Sequence, residues 1–309
     1  MREVFKKLRK IKAKRLFVQF PEGLKLKIQD LAKEFEKKGF EVVLCMEPTY
    51  GACDVREYEA KLLGCDAIIH IAHEDYGVKT KIPVIYYPYF LEGDPIPIIK
   101  KEWNKIEKFE KIGLVASLQF VPAMIKLKRF LEENGKKVFI GKSTTEKYKG
   151  QILGCRVGSA KKIERNVDAF ICVSAGKFYP LGLALNTDKP VLNLDLEMKK
   201  VYDMHEQKRK IQRIEAWNLS QFKEARRIGL LISWKKGQML GNPFELKKKL
   251  EKMGKEVYVM AFDEILESKI IGLKLDALIS FACPRIATDD LERFKIPIIN
   301  YNLIYKEIK

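Results

Sequence analysis

CDAIIHIAH at Cys65–His73, VDAFICVSAG at Val167–Gly176 and LDALISFACP at Leu275–Pro284 are one phrase written three times. Each is an aspartate followed by a near-continuous apolar run. Such runs suit strands buried on both faces of a parallel sheet. Outward from this phrase, the neighbouring sequence repeats as well. A strand-like opening precedes it as RLFVQF from Arg15, KIGLVAS from Lys111 and RIGLLIS from Arg227. An amphipathic helical stretch comes next, closing at Gly39, Gly135 and Gly254, where a helix favours a left-handed C-terminal residue. In the first copy Leu24, Ile28, Leu31, Ala32 and Phe35 share a face; in the third Leu246, Leu250 and Met253 do. Each copy ends on a proline-led strand at Pro83, Pro190 and Pro297. A period of about a hundred residues exceeds that of solenoid repeats, so each copy reads as a small domain.

The alternation of strands and helices predicts an α/β fold with right-handed crossovers. Three related domains are expected, at residues 1–97, 98–204 and 205–309, each a small parallel sheet with flanking helices. They are expected to be arranged pseudo-threefold round a central site. The stretch from Leu91 to Glu110 reads as a Pro/Gly-marked connection that becomes helical. Met198 to Arg226 reads as a charged helix leading into the third domain.

Composition narrows the setting. A chain of 309 residues with 47% hydrophobic content can bury a large core. No run approaches the roughly 18 apolar residues of a membrane span. The N-terminus is basic, but Val4, Phe5, Leu8 and Ile11 are helically spaced and the next apolar stretch stops at Pro21, so it lacks a signal-peptide core. A cytoplasmic protein with reduced thiols is expected. Lys and Arg number 59 against 41 Asp and Glu, a net charge of +18. That excess suits either an acidic partner or a Lys-, Glu- and Ile-rich thermophile-like surface.

Register sorts the six cysteines. Cys53 lies thirteen residues before Asp66 and Cys155 thirteen before Asp168, so they hold one slot. The third copy has Asp263 in that slot and offers Cys283 seven residues after Asp276; His73 and Ala175 are its equivalents. TYGACD, LGCRVGS and FACPR set these three cysteines among turn formers and small residues, near the carboxyl ends of strands where α/β sheets bind ligands. Cys45, Cys65 and Cys172 read as buried small hydrophobes. Three thiolates are too few for a closed zinc site, but on a cubane iron–sulfur cluster they leave one iron open. His73 is a candidate fourth ligand by register, or a hydrogen-bonded histidine at a strand end. His70 reads as a core residue, and His205 carries no signal.

PEGLKLKIQDLA after the first strand, EPTYGACD round Cys53, LGCR round Cys155, SAGKFYPLGLAL after the Asp168 strand and FACPRIATDD round Cys283 resemble the archaeal diphthamide synthase radical enzymes. These are the 2-(3-amino-3-carboxypropyl)histidine synthases, and the resemblance runs from about Phe17 to the C-terminus. It implies a homodimer whose subunits each hold a [4Fe–4S] cluster on Cys53, Cys155 and Cys283. It also implies transfer of the 3-amino-3-carboxypropyl group of S-adenosylmethionine to a histidine of translation elongation factor 2, with an external electron donor. Supports for S-adenosylmethionine would be Gly176, Lys177, Gly182, Gln238 and Arg285. No membrane and no direct nucleic-acid partner are expected. A quinolinate-synthase-like dehydratase, a basic binding protein with a structural cluster, and an electron-passing subunit are the competing readings. No helix-turn-helix phrase, RNP motif or clustered aromatic-basic patch favours nucleic acid.

Overall fold

The apolar phrases become the central strands of three sheets. The computed structural model describes residues 1–308 and divides into two compact units, Met1–Met204 and His205–Lys309. In the first unit, helix α1 (Arg2–Lys10) precedes β1 (Arg15–Gln19), α2 (Lys25–Glu36), β2 (Glu41–Leu44), α3 (Glu57–Leu62), β3 (Ala67–Ile71) and β4 (Val84–Tyr87). These four strands form a parallel sheet in the order β2-β1-β3-β4. Both faces are covered. Leu16 and Val18 of β1 pack with Ile28 and Phe35 of α2 and Leu8 of α1. Phe17, between them, points into a second cluster with Ile68, Ala60 and Cys65.

The second sheet follows through α4 (Ile96–Lys101), β5 (Lys111–Ala116), α5 (Val121–Glu133), β6 (Lys137–Phe139), α6 (Gly158–Lys161), β7 (Ala169–Ser174), α7 (Phe178–Ala184), β8 (Val191–Asp195) and β9 (Lys200–Asp203). Its order is β6-β5-β7-β8-β9. The last strand departs from the sequence reading: Lys200–Asp203 is a strand antiparallel to β8, not the start of a helix. The turn between them is tight enough to place Lys199 at φ 50°, and Val201 is fully buried. The charged helix is therefore shorter than the predicted 198–226 stretch.

That helix, α8 (His205–Glu224), opens the second unit and is followed by β10 (Arg227–Ser233), α9 (Pro243–Lys252), β11 (Glu256–Phe262), β12 (Ala277–Ser280), β13 (Ile298–Asn300) and α10 (Tyr301–Glu307). The sheet order is β11-β10-β12-β13, all parallel. Leu246 and Leu250 are buried against it as expected, but Met253 lies past the helix end and is exposed. Gly39, Gly135 and Gly254 have φ of 87°, 80° and 81°, the left-handed value the three helix ends required.

The repeated aspartate has a mechanical explanation. Asp66 Oδ2 accepts from the backbone N–H of Lys14 and Arg15, Asp168 from Glu110 and Lys111, and Asp276 from Arg226 and Arg227. Each carboxylate thus satisfies the amides where the neighbouring central strand begins, and fixes the register of the central pair. Arg227 also donates to Asp276 through its guanidinium, at 2.7 Å. That bond, with the backbone amides, pushes the Asp276 carboxyl down to about 2. Asp66 and Asp168 are lowered too, chiefly by the amides of Arg15 and Lys111.

A carboxyl depressed in the folded state stabilises above its unfolded value of 3.8, and the contribution is lost as pH falls through the folded value. Asp276→Asn cannot titrate. The stability gap between wild type and Asp276→Asn, measured by denaturant unfolding, should be constant near neutrality. It should close as pH drops from 3.8 towards 2. A gap that does not change over that window would show that the carboxylate charge is irrelevant.

Candidate functional site

In the first sheet the strand order changes direction between β1 and β3, and crevices for ligands open beyond the carboxyl ends of such a pair. Gln19 closes β1 and is paired in register with His70 of β3. Both side chains are fully buried, and both reach one atom. Gln19 Nε2 donates to the Asp54 carbonyl at 2.9 Å, and His70 Nε2 lies 3.3 Å from the same oxygen. Gln19 Oε1 accepts from Arg56 N–H at 2.9 Å. The loop between these anchors makes a turn, with Asp54 N–H donating to the Gly51 carbonyl, and Cys53 projects from it half-buried. Two buried polar side chains at the switch point thus set the height of one cysteine.

His70 cannot carry charge there, because burial holds its pKa well below the ordinary value. His73, edge-on to His70 at 4.9 Å, keeps part of its surface, yet the surrounding protein lowers its pKa to about 4. It is a neutral imidazole packed on another.

The second sheet uses backbone where the first uses Gln19. Ala116, at the end of β5, bridges in parallel to Gln151, with Ala116 N–H donating to Gly150 and Ile152 N–H to Ala116. Buried Ser159 donates to the Gln151 carbonyl at 2.6 Å. Beyond this bridge, Leu153 N–H closes on the Arg156 carbonyl at 2.8 Å, leaving Cys155 exposed at the turn. The loop after β3 reaches across to it. Tyr76 Oη is 3.9 Å from Cys155 Sγ, Arg156 Nη1 donates to the Tyr76 carbonyl at 3.1 Å, and the guanidinium lies 3.5 Å from the centre of the Tyr76 ring. Burial first, and then the neighbouring Cys155, raise the phenol pKa of Tyr76. The first unit therefore sets Tyr76 against one of its candidate cysteines, Cys155.

In the second unit Cys283 is half-buried, three residues past the end of β12. Its loop is tied by Ile286 N–H to the Cys283 carbonyl at 3.1 Å and by Asn300 Nδ2 to the Pro284 carbonyl at 3.0 Å. Arg285 is buried, and its guanidinium grips Asp289 through two short ionic hydrogen bonds.

The other thiols are of a different kind. Cys45, Cys65 and Cys172 are buried, and burial raises all three pKa values, that of Cys172 to about 12. Six cysteines thus separate into three packed neutral thiols and three that solvent or a ligand can reach. Cys53 and Cys155 in the first unit, and Cys283 in the second, are each thiols of the type that ligates iron–sulfur groups. Among the described residues no group of three or more His, Cys, Asp or Glu side chains forms a metal-holding cluster.

The remaining candidates differ in setting. Gly176, at φ 68°, follows the carboxyl end of β7, with its N–H donating to Asp195 and its carbonyl accepting from Asn193. Nothing lies within 4 Å of where a Cβ would sit, so backbone there is open to a ligand. Lys177 is exposed at the N-cap of α7. Gly182 is buried inside that helix, and Gln238 is buried in a short 3₁₀ turn after β10.

Parallel α/β sheets with reachable cysteines beyond their strand ends define the class of an α/β protein with candidate thiolate ligands at its loops. A family described as "Putative diphthamide synthesis protein" matches residues 20–302, and the chain belongs to this diphthamide synthesis family. It is 33% identical over 300 residues to the 2-(3-amino-3-carboxypropyl)histidine synthase of Pyrococcus horikoshii, covering 96% of this chain and 86% of that one. It is 28% identical to subunit 1 of the Candida albicans synthase, covering 94% of this chain and 70% of that subunit. The crystal structure of Dph2 from Pyrococcus horikoshii with a 4Fe-4S cluster superposes with a TM-score of 0.87 at 31% identity, over 99% of this chain and 89% of that one. No helix among the described residues is long and apolar enough to cross a membrane.

Proposed function

We propose that this chain is a 2-(3-amino-3-carboxypropyl)histidine synthase. It transfers the 3-amino-3-carboxypropyl group of S-adenosylmethionine to a histidine of translation elongation factor 2, in the cytoplasm, as a homodimer supplied by an external electron donor. The observation that carries this reading is near full-length similarity to the synthases, joined to the separation of three reachable cysteines from three packed ones. Cys53, Cys155 and Cys283 would hold a [4Fe–4S] cluster, one from each of the segments 1–97, 98–204 and 205–309. When bound, the cluster supplies the single electron that cleaves a carbon–sulfur bond of the sulfonium, and methylthioadenosine is the leaving product.

The protein's part is to hold and orient. Gln19 and His70 fix the Cys53 turn, while the Ala116–Gln151 bridge fixes the Cys155 turn. The open space beside Gly176 and the cation of Lys177 are suited to the carboxylate of the methionyl moiety, the Gly176 N–H itself being already given to Asp195. Gly182 and Gln238 are the other proposed supports. Arg285 is already engaged by Asp289, so its contribution to that carboxylate would be shared. Alignment of this kind is what selects one of three S–C bonds.

The test is anaerobic incubation with dithionite, carboxyl-labelled S-adenosylmethionine and elongation factor 2. Label should pass to the factor with release of methylthioadenosine, and a factor lacking the target histidine should stay unlabelled. Label on that mutated factor, or release of 5′-deoxyadenosine instead, would overturn the proposal.

A further inference from the structure

The loop after β3 is tied to the second sheet's loops at several points, and one of them touches a candidate ligand. Gln119 Nε2 donates to the Ala72 carbonyl at 3.0 Å, where Ala72 itself stands at φ 62°. Glu74 pairs with Lys147 at 3.3 Å. Tyr76 then receives Arg156 twice, on its carbonyl at 3.1 Å and on its ring face at 3.5 Å. A guanidinium over an aromatic face, with a hydrogen bond anchoring the same residue, holds that ring far better than a single contact does. Oη of the ring so held lies 3.9 Å from Cys155 Sγ.

We infer that Tyr76 is a positioning residue for the cluster, with its hydroxyl donating to the Cys155 sulfur and Arg156 clamping the ring in place. This rests on the reading of Cys155 as a ligand. A donor to a ligating sulfur withdraws electron density from the cluster and stabilises its reduced, more negative state. Removing the donor makes reduction harder. Arg156 follows Cys155 directly, so the clamp also ties the ligand's own turn to the first sheet and leaves Cys155 less free to swing away.

Three proteins, purified and reconstituted anaerobically as full chains, separate the possibilities. Tyr76→Phe keeps the ring and its stacking; it should bind as much iron as wild type, while its midpoint potential moves to a more negative value and the EPR signal of the reduced cluster changes. Arg156→Ala should move the potential the same way and, unlike Tyr76→Phe, lose iron to a chelator severalfold faster. A Tyr76→Phe potential and EPR signal equal to wild type would overturn the inference. Cys155→Ala is the control: wild-type iron content there would overturn the ligand assignment itself, a different failure. Should Tyr76→Phe not fold, Arg156→Lys, which keeps the charge but not the planar fork, reads the same potential. No shift in that variant would equally count against the clamp.

Discussion

Cys53→Ala, Cys155→Ala and Cys283→Ala should each lose most of the iron that the wild type retains after anaerobic reconstitution, whereas Cys45→Ala and Cys172→Ala should retain it. The wild type should bind about four irons per chain, the content of one cubane cluster. Removing one of three thiolates leaves two, and the drop in cluster retention should exceed the roughly 10–100-fold typical of losing a ligand's supporting partner. The controls are demanding because they lie in the same molecule and remove the same atom. Cys172 is fully buried within β7, so its replacement should cost about 1 kcal/mol of stability, the scale of a small deletion in a core. Cys45 sits in the core cluster with Phe17 and Val55 and should behave likewise. Iron assay and visible absorption on the five variants decide the matter. Equal iron in the two groups would remove the cysteine assignment, and with it the electron source for the proposed transfer.

The division between these cysteines was legible because it rests on two local properties. A cysteine inside an apolar strand is buried, as Cys172 is; one among glycines and prolines at a strand end is not. The repeated aspartate supplied the alignment that put Cys53 and Cys155 in one slot. Its role proved structural: Asp66, Asp168 and Asp276 bond the amides where the adjoining strand begins. A feature useful for locating the site is thus no part of it. The antiparallel strand β9 was hidden because Lys200–Asp203 has only one deeply buried side chain, Val201, and reads as polar. The Arg285–Asp289 pair could have been seen, since the two are four residues apart in a turn-forming stretch. Tyr76 could not. It lies in a short polar loop, and its partner Arg156 is 80 positions away, so no periodicity or spacing links them. Only the folded chain puts that phenol beside that thiol. Gln19 was missed for a related reason: one amide at the end of an apolar strand is indistinguishable from an edge polar residue until its buried partners are known.

Gln19→Leu should be the most informative substitution outside the cysteines. The side chain is fully buried and similar in size to leucine, so little changes in packing; what disappears is a donor and an acceptor. The Asp54 carbonyl keeps His70 at 3.3 Å, but Arg56 N–H, which gives 2.9 Å to Gln19 Oε1, loses that partner. A buried amide left in this way costs about 1–3 kcal/mol, to be read from denaturant unfolding. The same loss frees one side of the turn carrying Cys53, and iron retention should fall by about tenfold, as for other ligand-supporting groups. Gln19→Glu sharpens the test. It keeps an acceptor for Arg56 but points a carboxylate oxygen at the Asp54 carbonyl, where only a donor fits. Buried without a cation of its own, that carboxyl should titrate above its unfolded value. Its destabilising effect should therefore be absent at low pH, where the protonated acid can donate to Asp54, and appear as pH rises through the raised folded value. Gln19→Leu should show no such recovery on acidification. If both variants keep wild-type stability and iron at neutral pH, the Cys53 turn is held by other means and the switch-point clamp has no role in the site.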